Sequence, residues 1–222
     1  MKRQPEPEHR NDAAEAEAYP EVDVAAVNEA FVDRLMERTA ELSDAEIDAV
    51  DLGSGPGDIP IRVARRRAHW RIVAVGASAA MLSHARNGAI EAGVDNAIRW
   101  ELADAEATHL PDATFHVVFS HGILHHVHEP QPFWGEVRRI SAPGAVWLFR
   151  DLARPPDKRA ALEIVQTYAS QESQLLQEEF YRSLLSAYTV AEVRRQLRRA
   201  GLRGLEVSMV TDRHLDVFGR AG

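Results

Sequence analysis

From residue 47 onward the chain alternates short apolar runs with helical patterns, and this alternation restricts the fold more than any other feature. Strand-length runs fall at 47–52 (IDAVDL), 71–75 (RIVAV), 97–102 (AIRWEL), 115–120 (FHVVFS), 145–151 (AVWLFRD), 204–210 (GLEVSMV) and 214–218 (HLDVF). Helical spacing occupies 58–68, 79–92, 130–141 and 189–200. The last of these is opened by a capping box from Thr189 to Glu192 and closed by Gly201. Strands separated by helices pair in parallel, and a parallel sheet must be covered on both faces. The pattern therefore predicts an α/β domain with a mostly parallel sheet between two helical layers. No internal repeat and no second domain is visible.

Two segments lie outside the alternation. Residues 24–42 place Val24, Val27, Phe31, Leu35 and Leu42 at helical spacing, which predicts an amphipathic lead-in helix. Residues 1–20 mix Pro, Glu, Ala and charge without periodicity and read as a flexible tail, leaving a single domain over 21–222. Between the fifth strand and the last helix, 155–188 carries apolar residues in two helical groups broken near Ser170–Ser173. An insertion after a strand's carboxyl end stands above the crevice where open α/β sheets bind ligands, so it is expected to be a substrate lid.

Composition narrows the partners. The net charge of −8 disfavours a general nucleic-acid binder, and the basic runs Arg65–Arg67 and Arg194–Arg199 sit in helical patterns that read as solvated faces. No apolar stretch is long enough for a membrane span, and the first residues (MKRQPEPEHRND) lack a signal-peptide core. The absence of cysteine leaves no disulfide framework and fits a cytoplasmic protein.

The stretch VDLGSGPGDIP at 50–60 carries the chemistry. An apolar strand runs into Gly53, Gly55 and Gly57, and a helix opens near Asp58 and Pro60. Glycine serves where the backbone turns sharply or a ligand lies against it, and the following helix start offers free N–H groups. A dinucleotide fingerprint would need glycine at 58, where Asp58 disfavours a pyrophosphate and so a nicotinamide oxidoreductase. Asp51, two residues before the first glycine, suits a ligand with an ammonium group.

In these residues the chain resembles the class I S-adenosylmethionine-dependent methyltransferases, particularly the broad bacterial "type 11" group, over roughly residues 20–218. The family's acid–x–Gly–x–Gly–x–Gly loop matches Asp51 to Gly57, and its second-strand signature matches Gly76-Ala77-Ser78-Ala79-Ala80-Met81-Leu82 except at the acid. The Asp-Ala pair after the third strand matches Asp104-Ala105. The fourth-strand segment matches Phe115-His116-Val117-Val118 through Leu124-His125-His126, with His116 where the family has Asp. The Pro-Gly-Gly before the fifth strand appears as Pro143-Gly144-Ala145. The resemblance implies a Rossmann-like, seven-stranded, mostly parallel sheet with an antiparallel last strand. It also implies S-adenosyl-L-methionine as cofactor, S-adenosyl-L-homocysteine as product, and a small-molecule substrate. The cofactor-binding residues it implies are Asp51, Gly53, Ser54, Gly55, Gly76, Ala77, Met81, Asp104, Ala105 and Ser120.

Gly76 is the departure that matters. In the family this position carries a carboxylate that accepts hydrogen bonds from both ribose hydroxyls. Losing a charged hydrogen bond removes about 1.5–3 kcal/mol, or about ten- to a hundredfold in affinity. The site therefore reads as altered rather than absent. Polar groups expected at the carboxyl ends of strands four and five are Ser120, His121, Arg150 and Asp151, of which His121 and Arg150 are the catalytic candidates; Arg213 and His214 stand near. Structural ion pairs account for the same residues. His116, His121, His125, His126 and His128 cluster in sequence, yet His116 and His121 fall on opposite faces of a strand, so no metal site is expected. Two other functions fit: the same fold with drifted cofactor chemistry, and a binding or regulatory protein in which Gly76 marks lost catalysis.

Overall fold

The computed structural model of the chain describes residues 1–6, 25–42 and 45–220. Its centre is a seven-stranded sheet in the order β3-β2-β1-β4-β5-β7-β6. The strands are β1 Ile47–Leu52, β2 Trp70–Gly76, β3 Ile98–Leu102, β4 Phe115–His121, β5 Ser141–Leu152, β6 Glu206–Met209 and β7 His214–Arg220. Strands β1 to β5 run parallel, and β7 lies antiparallel between β5 and β6. The helices are α1 Ala25–Arg38, α2 Asp58–Arg66, α3 Ala79–Glu91, α4 Pro130–Ile140, α5 Lys158–Tyr168, α6 Gln174–Ser186 and α7 Val190–Arg199. Among the described residues no helix is long and apolar enough to cross a membrane.

Alternation along the strands divides the core in two. Ala49, Ile72, Ala74, Val117, Phe119 and Leu148 face α1 and α2, where Phe31, Leu35, Ile59 and Val63 bury against them. Val50, Leu52, Val75, Val118, Trp147 and Phe149 face the other layer, where Phe133, Trp134 and Val137 of α4 and Val193 and Leu197 of α7 close the packing. Burying side chains of this size contributes about 1.5–3 kcal/mol each, which is why the sheet's central strands are apolar on both faces.

Local chemistry sets the element ends. Ser78 caps α3 by accepting from Met81 N at 3.3 Å, and Thr189 with Glu192 completes the predicted capping box of α7. Arg66 pairs with Asp33 and Arg67 donates to Met36 O. Arg65 and Arg66 are exposed, as a solvated face requires, and Arg66 and Arg67 also tie α2 to α1. Strand β5 begins at Ser141, directly after α4 and ahead of the predicted start, because Ser141 already pairs with Phe115, before a bulge in β5 beyond which pairing resumes at Val146 with Val117.

The inserted segment forms the two predicted helices, α5 and α6, around a small core of its own built from Ala161, Val165, Ala169, Leu184 and Leu185. The flexible tail expected over 1–20 needs correction at its start. Residues 1–6 are packed: Arg3 donates to Ser186 O, His125 O and Val127 O, and Gln4 N donates to Leu185 O. Polar spacing in the sequence conceals this, since the contacts are hydrogen bonds to backbone rather than apolar burial. Residues 7–20 of the expected tail lie outside the described residues.

Candidate functional site

The glycine loop is built as its spacing requires. Gly53, Gly55 and Gly57 all have positive φ, at 79°, 51° and 88°, a region costly for residues with a Cβ. Gly53 N and Ser54 N both donate to Val75 O, at 2.9 and 2.8 Å, folding the loop back onto the end of β2. A Cβ on Gly57 would fall 2.5 Å from Ala85 Cβ and 2.7 Å from Trp100 Cη2, so this glycine admits the close packing of α2 on α3. A Cβ on Gly53 would fall 2.5 Å from Ile123 Cδ1, which seats the turn after β4 against the loop. A Cβ on Gly55 would meet nothing within 4 Å. Gly55 is therefore the glycine whose bare backbone faces open space.

Asp51 stands one residue before the end of β1, beneath this loop. It is 1% exposed, and its Oδ2 has no hydrogen-bond partner. Burial without a cation pushes the Asp51 carboxyl well above its usual range. A buried acid left in this state fits a cationic group supplied from outside the chain.

The remaining predicted cofactor residues come together along the carboxyl edge of β1, β2 and β3. Gly76 ends β2, accepts from Ala103 N at 3.1 Å, and has ordinary φ. Ala77 is exposed and Met81 half-buried at the start of α3. Asp104 accepts from Glu106 N at 2.8 Å and so shapes the turn in which Ala105 is buried. Leu102, at the end of β3, is 58% exposed, an apolar surface beside Asp104. Ser120 is set differently. It is wholly buried, and its hydroxyl donates to Leu52 O at 2.5 Å, bracing β4 against β1.

The catalytic candidates separate. Arg150 is corrected: its guanidinium forms a two-pronged pair with Asp216 at 2.7 and 2.9 Å, both residues are buried, and the charge is spent inside the protein. The antiparallel β5–β7 register places these residues opposite one another, a partner that neighbouring Asp151 concealed in the sequence. His121 packs its ring edge-on to Phe31 at 5.1 Å, and its Nε2 is buried without a partner. Burial, then His214 nearby, lowers its pKa to about 3, so it is neutral. His214 is also held neutral: burial, then Arg213 and Arg150, lower its pKa to about 4, and its Nδ1 lies 2.9 Å from Thr211 Oγ1. Arg213 stacks on Tyr168 at 3.3 Å and pairs with Asp212.

His125, which the sequence places on the turn after β4 but not among the catalytic candidates, stands in a different setting. Its Nδ1 lies 2.7 Å from Asp151 Oδ1, while Asp151 Oδ2 accepts from Leu124 N at 2.5 Å. Burial alone would raise the Asp151 carboxyl, but His125 beside it and the backbone N–H of Leu124 hold it below its usual value. An ionised carboxylate on Nδ1 fixes the tautomer and orientation of the ring and supports its basicity. The available signal was the pairing of Asp151, at a strand end, with the Leu124-His125-His126 turn.

Glu6, His125 and His126 have ligand-type atoms all within 4.8 Å of one another, a spacing that could hold a cation. Each is already engaged: His125 with Asp151, His126 Nδ1 with Glu6 Oε2 at 2.9 Å, and Glu6 Oε1 with Ser183 Oγ at 2.8 Å. A cleft of about 480 Å³ lies elsewhere, between α5 and the β6–β7 turn, lined by Pro155, Ile164, Tyr168, Met209 and Asp212 among others. None of its lining belongs to the glycine loop.

The glycine loop, the buried acid and the turn after β4 all lie within residues 50–149, which match the methyltransferase domain family. The chain is similar to a ubiquinone biosynthesis O-methyltransferase of Hahella chejuensis, at 35% identity over 111 residues, covering 48% of this chain and 44% of that protein. It is also similar to a 27-O-demethylrifamycin SV methyltransferase of Amycolatopsis mediterranei, at 29% identity over 124 residues, covering 55% of this chain and 45% of that protein. The matched stretches thus span less than half of each relative. In fold it resembles a putative S-adenosyl-L-methionine-dependent methyltransferase of Methanococcus maripaludis, with a TM-score of 0.77 at 18% identity, over 99% of this chain and 98% of that one.

Proposed function

We propose that the chain methylates a hydroxyl oxygen of a small molecule, with His125 as general base oriented by Asp151. The hydrogen-bonded His125–Asp151 pair, on the turn that Ile123 seats against Gly53, carries this reading. The names of the two curated relatives, both linked to small molecules and one of them an O-methyltransferase, support it.

In this reading Asp51 holds the ammonium of the cofactor's methionine end and Gly53 to Gly55 lie against that moiety. Gly76, Ala77 and Met81 flank the ribose, and Asp104 and Ala105 border the adenine. The cofactor supplies a methyl group activated by its sulfonium. The chain's own part is to position the acceptor and to take its proton. With Nδ1 committed to Asp151, His125 Nε2 is the nitrogen that receives the proton, a contribution of about 10²–10⁴ in rate for a well-placed base. His121, neutral and buried at the end of β4, then shapes the acceptor pocket rather than carrying the proton. Helices α5 and α6 serve as the cover. They follow Asp151 in the chain, and Ser186 Oγ of α6 donates to His125 O at 2.6 Å.

The test is transfer itself. The protein is incubated with cofactor carrying an isotopic methyl label and a panel of small phenols and polyketide alcohols, and products are read by mass spectrometry. Label should appear on oxygen with the native chain and be lost in His125→Asn, while cofactor binding persists. Label retained at full rate in His125→Asn would remove the base assignment. A chain that binds cofactor yet labels no acceptor in any extract would favour the drifted-chemistry reading.

A further inference from the structure

The turn that bears His125 is held from outside the domain's main layers. Arg3 reaches across it, its Nη2 donating at 3.0 Å to both His125 O and Val127 O, and its guanidinium stacks 3.9 Å over the Tyr188 ring. Glu6 is 3% exposed. Its backbone N–H donates to Ser186 Oγ at 3.2 Å, its Oε1 accepts from Ser183 Oγ, and its Oε2 meets His126 Nδ1. The His126 ring in turn lies 4.0 Å, centroid to centroid, from that of His125. Six residues at the start of the sequence thus bind the histidine turn and α6 together.

We propose that Glu6 is a positioning residue for the His125–Asp151 pair: its carboxylate, clamped by Ser183, holds His126 against His125 and adds a second negative charge within 4.8 Å of the His125 ring nitrogen. The inference rests on the methyltransferase reading above and extends it by making the N-terminal segment part of the active-site wall. Glu6 is suited to the role. Burial alone would raise its carboxyl, but the His126 contact, the nearby His125 charge and the Ser183 bond bring its pKa to about 2, so it is ionised. A fixed anion favours imidazolium over imidazole, which raises the basicity of His125. Among the described residues, the groups around His125 include Asp151 from β5, His121 from β4, its neighbour His126 and Glu6 from the N-terminal segment, with Arg3 and Ser186 at its backbone carbonyl.

The experiment follows the His125 imidazole by heteronuclear NMR through a pH titration of the full chain, which needs no methyl acceptor and is scored separately from cofactor binding. In Glu6→Gln, which keeps shape and one acceptor, the His125 pKa should fall by about half a unit to one unit, the lower end of what a nearby opposite charge does. Arg3→Gln supplies a sign test. If Arg3 acts through the tether, its loss releases Glu6 and the His125 pKa falls; if Arg3 acts only as a charge, the pKa rises. An unmoved His125 in Glu6→Gln, or a rise in Arg3→Gln, overturns the proposal. Saturable zinc binding that shifts His125 and His126 in the native chain and vanishes in Glu6→Gln also overturns it, by making the cluster a metal site. Failure on any of these counts leaves the methyltransferase reading standing, because affinity for S-adenosylhomocysteine is a separate measurement.

Discussion

Gly76→Asp returns a carboxylate to the position where the family grips the ribose, and the structure permits the size of the effect to be worked out. The residue ends β2 with ordinary φ, so aspartate introduces no backbone strain. A Cβ there would stand 3.0 Å from Leu82 Cδ2, 3.4 Å from Leu82 Cγ and 3.5 Å from Ser54 Oγ. The obstacle is thus the end of a flexible side chain, which must retreat by a few tenths of an ångström. Leu82 is buried, so the shift and the carboxylate's own desolvation together cost about 1 kcal/mol, the low end for overpacking. The recovered charged hydrogen bond contributes about 1.5–3 kcal/mol. The net gain of about 0.5–2 kcal/mol corresponds to roughly two- to thirtyfold tighter binding. Calorimetric titration with S-adenosylhomocysteine measures it, and an analogue lacking the ribose hydroxyls should show no gain. Affinity that is unchanged or weaker in Gly76→Asp, in a variant that melts as the native chain does, would mean the ribose does not lie at the end of β2.

Three further outcomes follow from the packing and the charges. Gly57→Ala should cost about 2–4 kcal/mol by urea denaturation, from positive φ together with overlap against Ala85 and Trp100, whereas Gly55→Ala, in open space, should cost only about 1–2 kcal/mol. His121 and His214 are held neutral, with pKa values of about 3 and about 4 against an ordinary 6.5. The unfolded chain therefore binds more protons between those limits. Stability should be full above pH 6.5 and fall as the pH drops through the window, by up to about 1.4 kcal/mol per pH unit for each histidine; His121→Gln should flatten that slope. Asp216→Asn strands the buried Arg150 charge and should cost about 3–5 kcal/mol, while the double change Arg150→Met with Asp216→Leu should recover most of it.

The layered sheet was legible because hydrophobic period reports directly on burial. Strands such as IDAVDL and HVVF are apolar on both faces only when covered on both. The glycine loop was legible for a similar reason, since positive φ at Gly53, Gly55 and Gly57 leaves a mark in residue type. What stayed hidden depends on pairings across the fold. Adjacency in sequence offers Asp151 as an ion-pair partner for Arg150 as readily as a catalytic role, but strand β7 puts Asp216 opposite Arg150, and Asp151 meets His125. The docked N-terminus escaped notice because Arg3 and Glu6 are held by backbone carbonyls and serine hydroxyls, which carry no periodic signature. The start of β5 moved to Ser141 because Ser141 pairs with Phe115, while Pro143-Gly144 falls in the unpaired stretch before Val146, with Gly144 at a φ of 75°.

Asp51→Asn gives the sharpest test of the central claim that the loop at Gly53–Gly57 holds the methionine end of S-adenosylmethionine over a buried acid. The native chain should bind S-adenosylhomocysteine with low-micromolar affinity in a calorimeter. The variant, which keeps the shape but loses the charge, should bind about tenfold or more weakly. In the absence of ligand the same variant should melt at the native temperature or above it, since a group whose charge is disfavoured by burial is replaced by a neutral one of the same shape. Opposite movement of affinity and stability is the predicted result. Undetectable binding by the native chain, or equal affinity in Asp51→Asn, would contradict the account.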